Sequence, residues 1–234
     1  MRETPKSRAR KPARKQPPKP AAKAVPKRRP GRPRKVEPAE RKAAILDAAL
    51  HVFAERGFEA ARLDDVAARS GVAKGTLYLY FKDKEALFEE VVRSAVSPVL
   101  ERLEAVAAGP ELPFDKVLDA IYELFVTEVL GTERKLLIRL ILAEGPRFPR
   151  IAEFYYRNVV GRALPQLQKL AERAKREGAL THDSIARYPQ LIVAPLLMAV
   201  IWDAQFARFK PLDASGFLRA YREMVAPGKR RSTP

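Results

Sequence analysis

From residue 38 to residue 227 the apolar residues return every three or four positions and never alternate with polar ones, which is the period of a helix surface and not of a strand. The chain is therefore expected to be all-α. Ile45, Leu46, Ala49, Leu50 and Phe53 form the stripe of a first helix, which should stop at Gly57 in a left-handed C-cap. Leu63, Val66 and Ala67 mark a short second helix ending at Gly71, and a short third runs over 74–81. Asp83 is placed to cap a long fourth helix over 84–107. Beyond Gly109 and Pro110 the same spacing predicts helices over 114–130, 132–144, 149–177, 183–209 and 213–224, with breaks at Gly131, Gly145-Pro146, Gly178 and Pro211. That gives nine helices. No fixed-period repeat occurs, which argues against a solenoid.

The first 36 residues do not share this pattern. They hold 15 Lys and Arg against one acid, Glu3, and eight of the 20 prolines, with almost nothing apolar larger than Val. Such a composition cannot bury enough surface to offset the entropy of ordering, so 1–36 reads as a disordered basic arm and 228–234 as a basic disordered tail. The formal charge of +17 lies wholly in these two segments, because Glu37 to Pro227 carries 27 basic and 27 acidic residues. No apolar stretch follows the basic start as a secretory signal requires, which points to a cytoplasmic protein. The longest apolar run, 191–202, contains Pro195 and falls short of the ~20 residues that span a bilayer, so it reads as a buried helix and no membrane partner is expected.

Within the arm, Lys27-Arg28-Arg29-Pro30-Gly31-Arg32-Pro33-Arg34-Lys35 resembles an AT-hook. That resemblance implies an extended strand in the narrow minor groove of A·T-rich DNA, with Arg29, Gly31, Arg32 and Arg34 in contact. Pro30 stands directly before Gly31 where the motif usually has Arg. The other reading is a solvated linker that binds any polyanion by counterion release.

The chain has no cysteine, which excludes disulfide frameworks, zinc ribbons, iron–sulfur sites and thiol nucleophiles. Its two histidines, His51 and His182, are isolated, and neither looks catalytic or metal-ligating. No P-loop, G-x-S-x-G, H-E-x-x-H or G-x-G-x-x-G pattern is present. An enzyme is not expected, nor a cofactor, nor a metal.

Two short helices joined through a glycine turn, followed by a long one, have the layout of a helix-turn-helix. The run Leu63-Asp-Asp-Val-Ala-Ala-Arg-Ser-Gly-Val-Ala-Lys-Gly-Thr-Leu-Tyr-Leu-Tyr-Phe-Lys-Asp-Lys-Glu-Ala-Leu-Phe88 resembles the DNA-binding domain of the tetracycline repressor (TetR) family. Val66, Ala67, Val72, Leu77 and Phe81 form the apolar set expected to lock the two short helices onto the first. Lys74, Gly75, Thr76, Tyr78 and Tyr80 fall at the start and on the outer face of the second short helix, where small residues allow close approach and polar ends reach phosphates and base edges. One of the two tyrosines could instead merely pack. The resemblance implies DNA contacts at Thr76, Tyr78 and Lys84, the last two on phosphates. Lys84 also sits in the first turn of a helix, against the dipole, which suggests an external anion. The family commonly has hydroxyl residues where this chain has Arg62 and Ala73, so both short helices should lack side-chain N-caps, and Arg62 could contact phosphate. Residues 37–82 hold seven basic and seven acidic side chains, so the arm is expected to supply much of the affinity and the helix the selectivity.

The expected domains are 37–83 for DNA and 84–227 for effector binding and dimerisation. A single helix-turn-helix reads few base pairs, so a homodimer on a palindrome is expected, through Leu191, Leu196, Phe217, Tyr221 and Met224 of the last two helices. The resemblance implies a small-molecule effector that respaces the paired heads. Phe125, Leu142, Phe148, Phe154, Tyr155 and Trp202 are candidate walls for an apolar ligand, with Arg139, Glu144 and Arg157 as candidate polar anchors; plain core is the competing reading for each aromatic. The chain thus reads as a homodimeric regulator, a repressor released by a small, largely apolar molecule. The alternative is an architectural, nucleoid-type protein dominated by its arm.

Overall fold

Several helices begin or end where the sequence removes a backbone donor or a Cβ, as at Pro38, Gly71 and Pro149. The computed structural model describes residues 37–108, 112–180 and 182–226, and all regular structure among them is helical. The AT-hook-like residues Arg29, Gly31, Arg32 and Arg34, with the rest of the arm and the C-terminal tail, lie outside the described residues. Helix α1 spans Pro38–Ala60, α2 Leu63–Ser70, α3 Lys74–Tyr80 and α4 Lys84–Ala108. Helix α5, Phe114–Phe125, runs on into a π-helical turn at Val126–Leu130, and α6 is Arg134–Glu144. Helix α7, Pro149–Tyr155, continues through a second π turn, Tyr156–Val160, into α8, Gly161–Arg176. Helices α9 (Ser184–Arg187), α10 (Gln190–Gln205) and α11 (Ala214–Val225) complete the order.

Counting α7 to α8 as one run gives ten continuous helices among the described residues, one more than the hydrophobic spacing predicted. The extra break is at Tyr188-Pro189. Proline has no amide hydrogen and keeps its predecessor out of the helical basin, and Tyr188 accordingly lies at φ −131°, ψ 78°. The expected cap at Asp83 is present, its Oδ1 accepting from the Ala86 amide at 2.7 Å. Gly57 differs from expectation. Its φ of 76° is positive, but its ψ of 168° is extended and not left-handed-helical, so the chain kinks there and closes one more turn through Phe58 to Ala60. That hook carries Phe58 into the core, where its ring lies 5.6 Å from Phe53 and from Phe88, and 5.2 Å from Phe148.

Two apolar clusters organise the chain. The first is built by α1 to α4 and continues into Leu137 and Leu140 of α6 and Ile151 of α7. The position expected to divide two domains, 83/84, therefore falls inside one continuous core. Glu59 at the hook also pairs with Arg147 in the α6–α7 loop at 2.6 Å. The second cluster joins α5, α8, α9, α10 and α11 around Leu118, Leu170, Ile192 and Leu218.

Candidate nucleic-acid interface

The turn between α2 and α3 is closed by Gly71 in the left-handed region (φ 69°, ψ 19°), after which the Val72 amide donates to the Ala67 carbonyl at 3.2 Å. Val66, Ala67, Leu77 and Phe81 are buried against α1 and Val72 is half-buried, as the spacing predicted. With Leu77 facing inward, the opposite side of α3 is left free. Lys74, Gly75, Tyr78 and Leu79 are exposed and Thr76 is half-buried. A Cβ on Gly75 would meet nothing within 4 Å, so the fold itself makes no demand for glycine there. Tyr80 is the tyrosine that packs: it is half-buried against the first cluster, with its ring 6.3 Å from that of Phe81. Sequence reasoning missed Leu79, which is 86% exposed, in line with Gly75 one turn earlier. Its signal was available, since a period of 3.6 that buries Leu77 and Phe81 must turn position 79 outward.

The cations of this region are largely committed within the protein. Lys42 pairs with Glu90 at 2.5 Å, Arg56 with Asp65 at 2.6 Å, Arg69 with Glu55 at 2.6 Å, and Lys82 lies 3.7 Å from Asp83. Lys74 Nζ donates to Asp64 at 2.8 Å, and that hydrogen bond raises the ammonium above its ordinary pKa. Lys42, together with Arg93, in turn holds the Glu90 carboxyl below the usual carboxylate range. Lys84 needs no external anion to account for its place. Its Nζ donates to the Glu59 carbonyl at 2.8 Å and lies 4.8 Å above the Phe58 ring, so the cation sits on the end of α1. Arg62, exposed at the start of α2, makes no side-chain bond among the described residues, and neither it nor Ala73 caps its helix.

The residues expected to wall an effector cavity do not converge. Phe148, Phe154 and Tyr155 pack on the first cluster and Phe125 on the second. Leu142 is exposed on α6. Trp202 Nε1 donates to the Lys210 carbonyl at 2.7 Å, and its ring lies 5.3 Å from Phe206. The candidate anchors are only partly engaged: Arg157 pairs with Glu153 at 2.5 Å and Arg139 bonds Asp203, but the buried Arg139 Nε and Glu144 Oε2 have no hydrogen-bond partner among the described residues. Burial pushes the Tyr155 phenol up to about 12. Two surface grooves lie elsewhere. One of about 230 Å³ separates α5 and α11 and is lined by Asp119, Tyr122, Arg219 and Arg222; one of about 270 Å³ lies among α1, α4 and α6.

The expected dimer residues also separate. Leu196 is 7% exposed and belongs to the core; Leu191, Phe217 and Tyr221 are half-buried in the second cluster; Met224 stands 69% exposed. Helix α10 is not buried all round. Ala194, Met198, Ile201 and Gln205 lie exposed on one face. His51 is half-buried, 4.0 Å from Asp47, and His182 is exposed. Among the described residues no His, Asp and Glu group could hold a metal ion, and no helix is long and apolar enough to cross a membrane.

Comparison with known proteins agrees with this geometry. Residues 45–91 match the model of the family described as bacterial regulatory proteins, tetR family, and residues 116–226 match that of the C-terminal domain of AefR-like transcriptional repressors. The HTH-type transcriptional regulator AcrR of Shigella flexneri is 32% identical over 108 residues, 46% of this chain and 50% of that protein. The chain spans about half or less of the length of the curated relatives it matches. Among solved structures, the fatty acid degradation regulator FadR of Bacillus halodurans superposes with a TM-score of 0.66 at 21% identity, over 84% of this chain and 99% of that one. FadR of Bacillus subtilis, in complex with stearoyl-CoA, gives 0.62 at 20% identity over 80% and 99%. At that identity the likeness is one of fold.

Proposed function

Because this chain belongs to the tetR family of helix-turn-helix, DNA-binding transcription regulators, we propose that it is a homodimeric repressor which binds a palindromic operator and is released by a small, largely apolar effector. The observation that carries the DNA reading is the outer face of α3. Lys74, Gly75, Thr76, Tyr78 and Leu79 share an exposed surface that the buried Leu77 and Phe81 hold rigidly in place. Arg62 and Lys84 flank it, with Tyr80 half-buried beside it. Repression is supported by the AefR-like C-terminal match. The apolar effector is supported by the fold neighbours named for fatty acid degradation, one of them bound to stearoyl-CoA. Of the aromatic residues expected to line its site, Phe148, Phe154 and Tyr155 lie together on the first cluster and Phe125 on the second. The dimer is supported by the exposed apolar face of α10, with Met224 of α11 as a further contact.

The arm holds 15 basic residues to one acid, whereas most cations of the head are internally paired, and this favours the arm as the main source of electrostatic affinity. The test is selection of bound fragments from sheared genomic DNA at ~150 mM salt, with the full chain and a form lacking residues 1–35 in parallel. The expected outcome is one short palindrome enriched by both, bound much more weakly and with a flatter salt slope by the shortened form. Diffuse or merely A·T-rich enrichment that vanishes with the arm would replace the repressor by an architectural protein.

A further inference from the structure

The pair between Lys74 and Asp64 stands where two helix starts meet. Asp64 is the second residue of α2, where the helix dipole favours a carboxylate, and Lys74 is the first residue of α3, where the dipole disfavours a cation. Ala73 offers α3 no side-chain cap, and the ammonium finds its anion on the neighbouring helix, Nζ to carboxylate at 2.8 Å. Both side chains are more than half exposed, 61% for Lys74 and 56% for Asp64, so the pair contributes little to stability and opens readily. It also lies at the edge of the face that Tyr78 and Leu79 present outward. A carboxylate and a phosphodiester are alike in the respects that matter here: each carries one negative charge shared over two oxygens at hydrogen-bonding distance.

We propose that Asp64 is an intramolecular stand-in for a DNA phosphate, which occupies Lys74 in the free protein and is displaced by a phosphodiester of the duplex. This rests on the DNA-binding reading above and deepens it. Asp64 is then a residue that tunes affinity without touching a base. When Lys74 moves to DNA it exchanges one ion pair for another, so the contact yields less than the salt dependence of a free cation. The vacated carboxylate also remains beside the phosphate chain and repels it. Both effects restrain binding, and both vanish if the charge of Asp64 is removed while its shape is kept.

The experiment measures binding of the full chain to a mixed-sequence duplex of about 30 base pairs across a salt series. Four proteins are compared: the unaltered chain, Asp64→Asn, Lys74→Gln, and the double variant, with melting temperatures to confirm folding. Asp64→Asn is expected to tighten binding about threefold to tenfold at ~100 mM salt and to steepen the slope of log K against log salt by less than the ~0.9 of one full phosphate contact. In the Lys74→Gln background the same change is expected to give less than half of that gain and no steepening. An equal gain in both backgrounds would mean that Asp64 acts only as one more negative charge, and would overturn the proposal. So would unchanged or weaker binding by Asp64→Asn in the unaltered background. Failure of the unaltered chain to bind the duplex at any salt would remove the DNA-binding reading itself, and is distinguished by the first curve of the series.

Discussion

Leu79 is the side chain whose position the protein's own stability explains least. At 86% exposure it contributes almost nothing to the core, yet it stands on α3 between Tyr78 and Tyr80 and in line with Gly75. An apolar side chain on the reading face suits the one apolar feature of the major groove, the methyl of thymine. Leu79→Ala is therefore expected to lower affinity for the selected operator by roughly fourfold to fifteenfold and to relax the preference at one T·A pair, since it removes an apolar contact worth about one or two buried methylene groups. Binding to mixed-sequence DNA and its salt slope should stay as they were. Repeating the fragment selection with this variant is the check; an unaltered motif at full affinity would show that Leu79 meets no base. Core positions such as Leu77 and Phe81 were legible in the sequence because burial follows the helical period. The role of Lys84 was not. Its partners, Phe58 and the Glu59 carbonyl, reach it only through the kink at Gly57, a backbone turn that no pattern of side chains announces.

At the scale of elements, the short second and third helices and the long fourth could be placed from the sequence because Gly71 and Asp83 punctuate them. Helix α10 could not be described so well. Its apolar run hides which face is covered, and the stop at Tyr188-Pro189 is not set apart by its proline, since α10 runs on through Pro195. The structure separates the faces: Ile192, Leu196, Ala199 and Val200 turn inward, whereas Ala194, Met198, Ile201 and Gln205 turn outward. If that outer face joins two copies, Met198→Glu with Ile201→Glu places charge in an apolar contact and should yield monomers in analytical sedimentation at micromolar protein. Operator affinity should fall by at least tenfold while helicity is retained, because each head alone reads half a palindrome. A double variant that still sediments as the unaltered protein would move the dimer contact off α10.

Across the described residues the head shares its core with α6 and α7, and the contact concentrates at the hook after Gly57. There Phe58 meets Phe148, Glu59 meets Arg147, and the Glu144 carboxylate stands 2.8 Å from the place a Cβ on Gly57 would occupy. Gly57→Ala combines a positive φ with this near contact and should cost about 1–3 kcal/mol. At about 2–4 °C per kcal/mol, thermal unfolding should register it clearly. Adding Glu144→Ala should restore only part of the loss, because it relieves the contact and leaves the strained dihedral; full recovery would show that the backbone conformation carries no cost.

The shared core also bears on how such a protein can be taken apart. A fragment cut after residue 83 would carry the hook away from Phe88, Phe148 and Ile151 and leave Phe58 with Phe53 alone of its three ring neighbours. A recognition head transplanted from this chain onto another body would keep its grip only if the loop with Arg147 and Phe148 travelled with it. The portable unit is thus discontinuous in sequence, and a chimaera spliced at a single junction inherits the reader without the clasp that seats it.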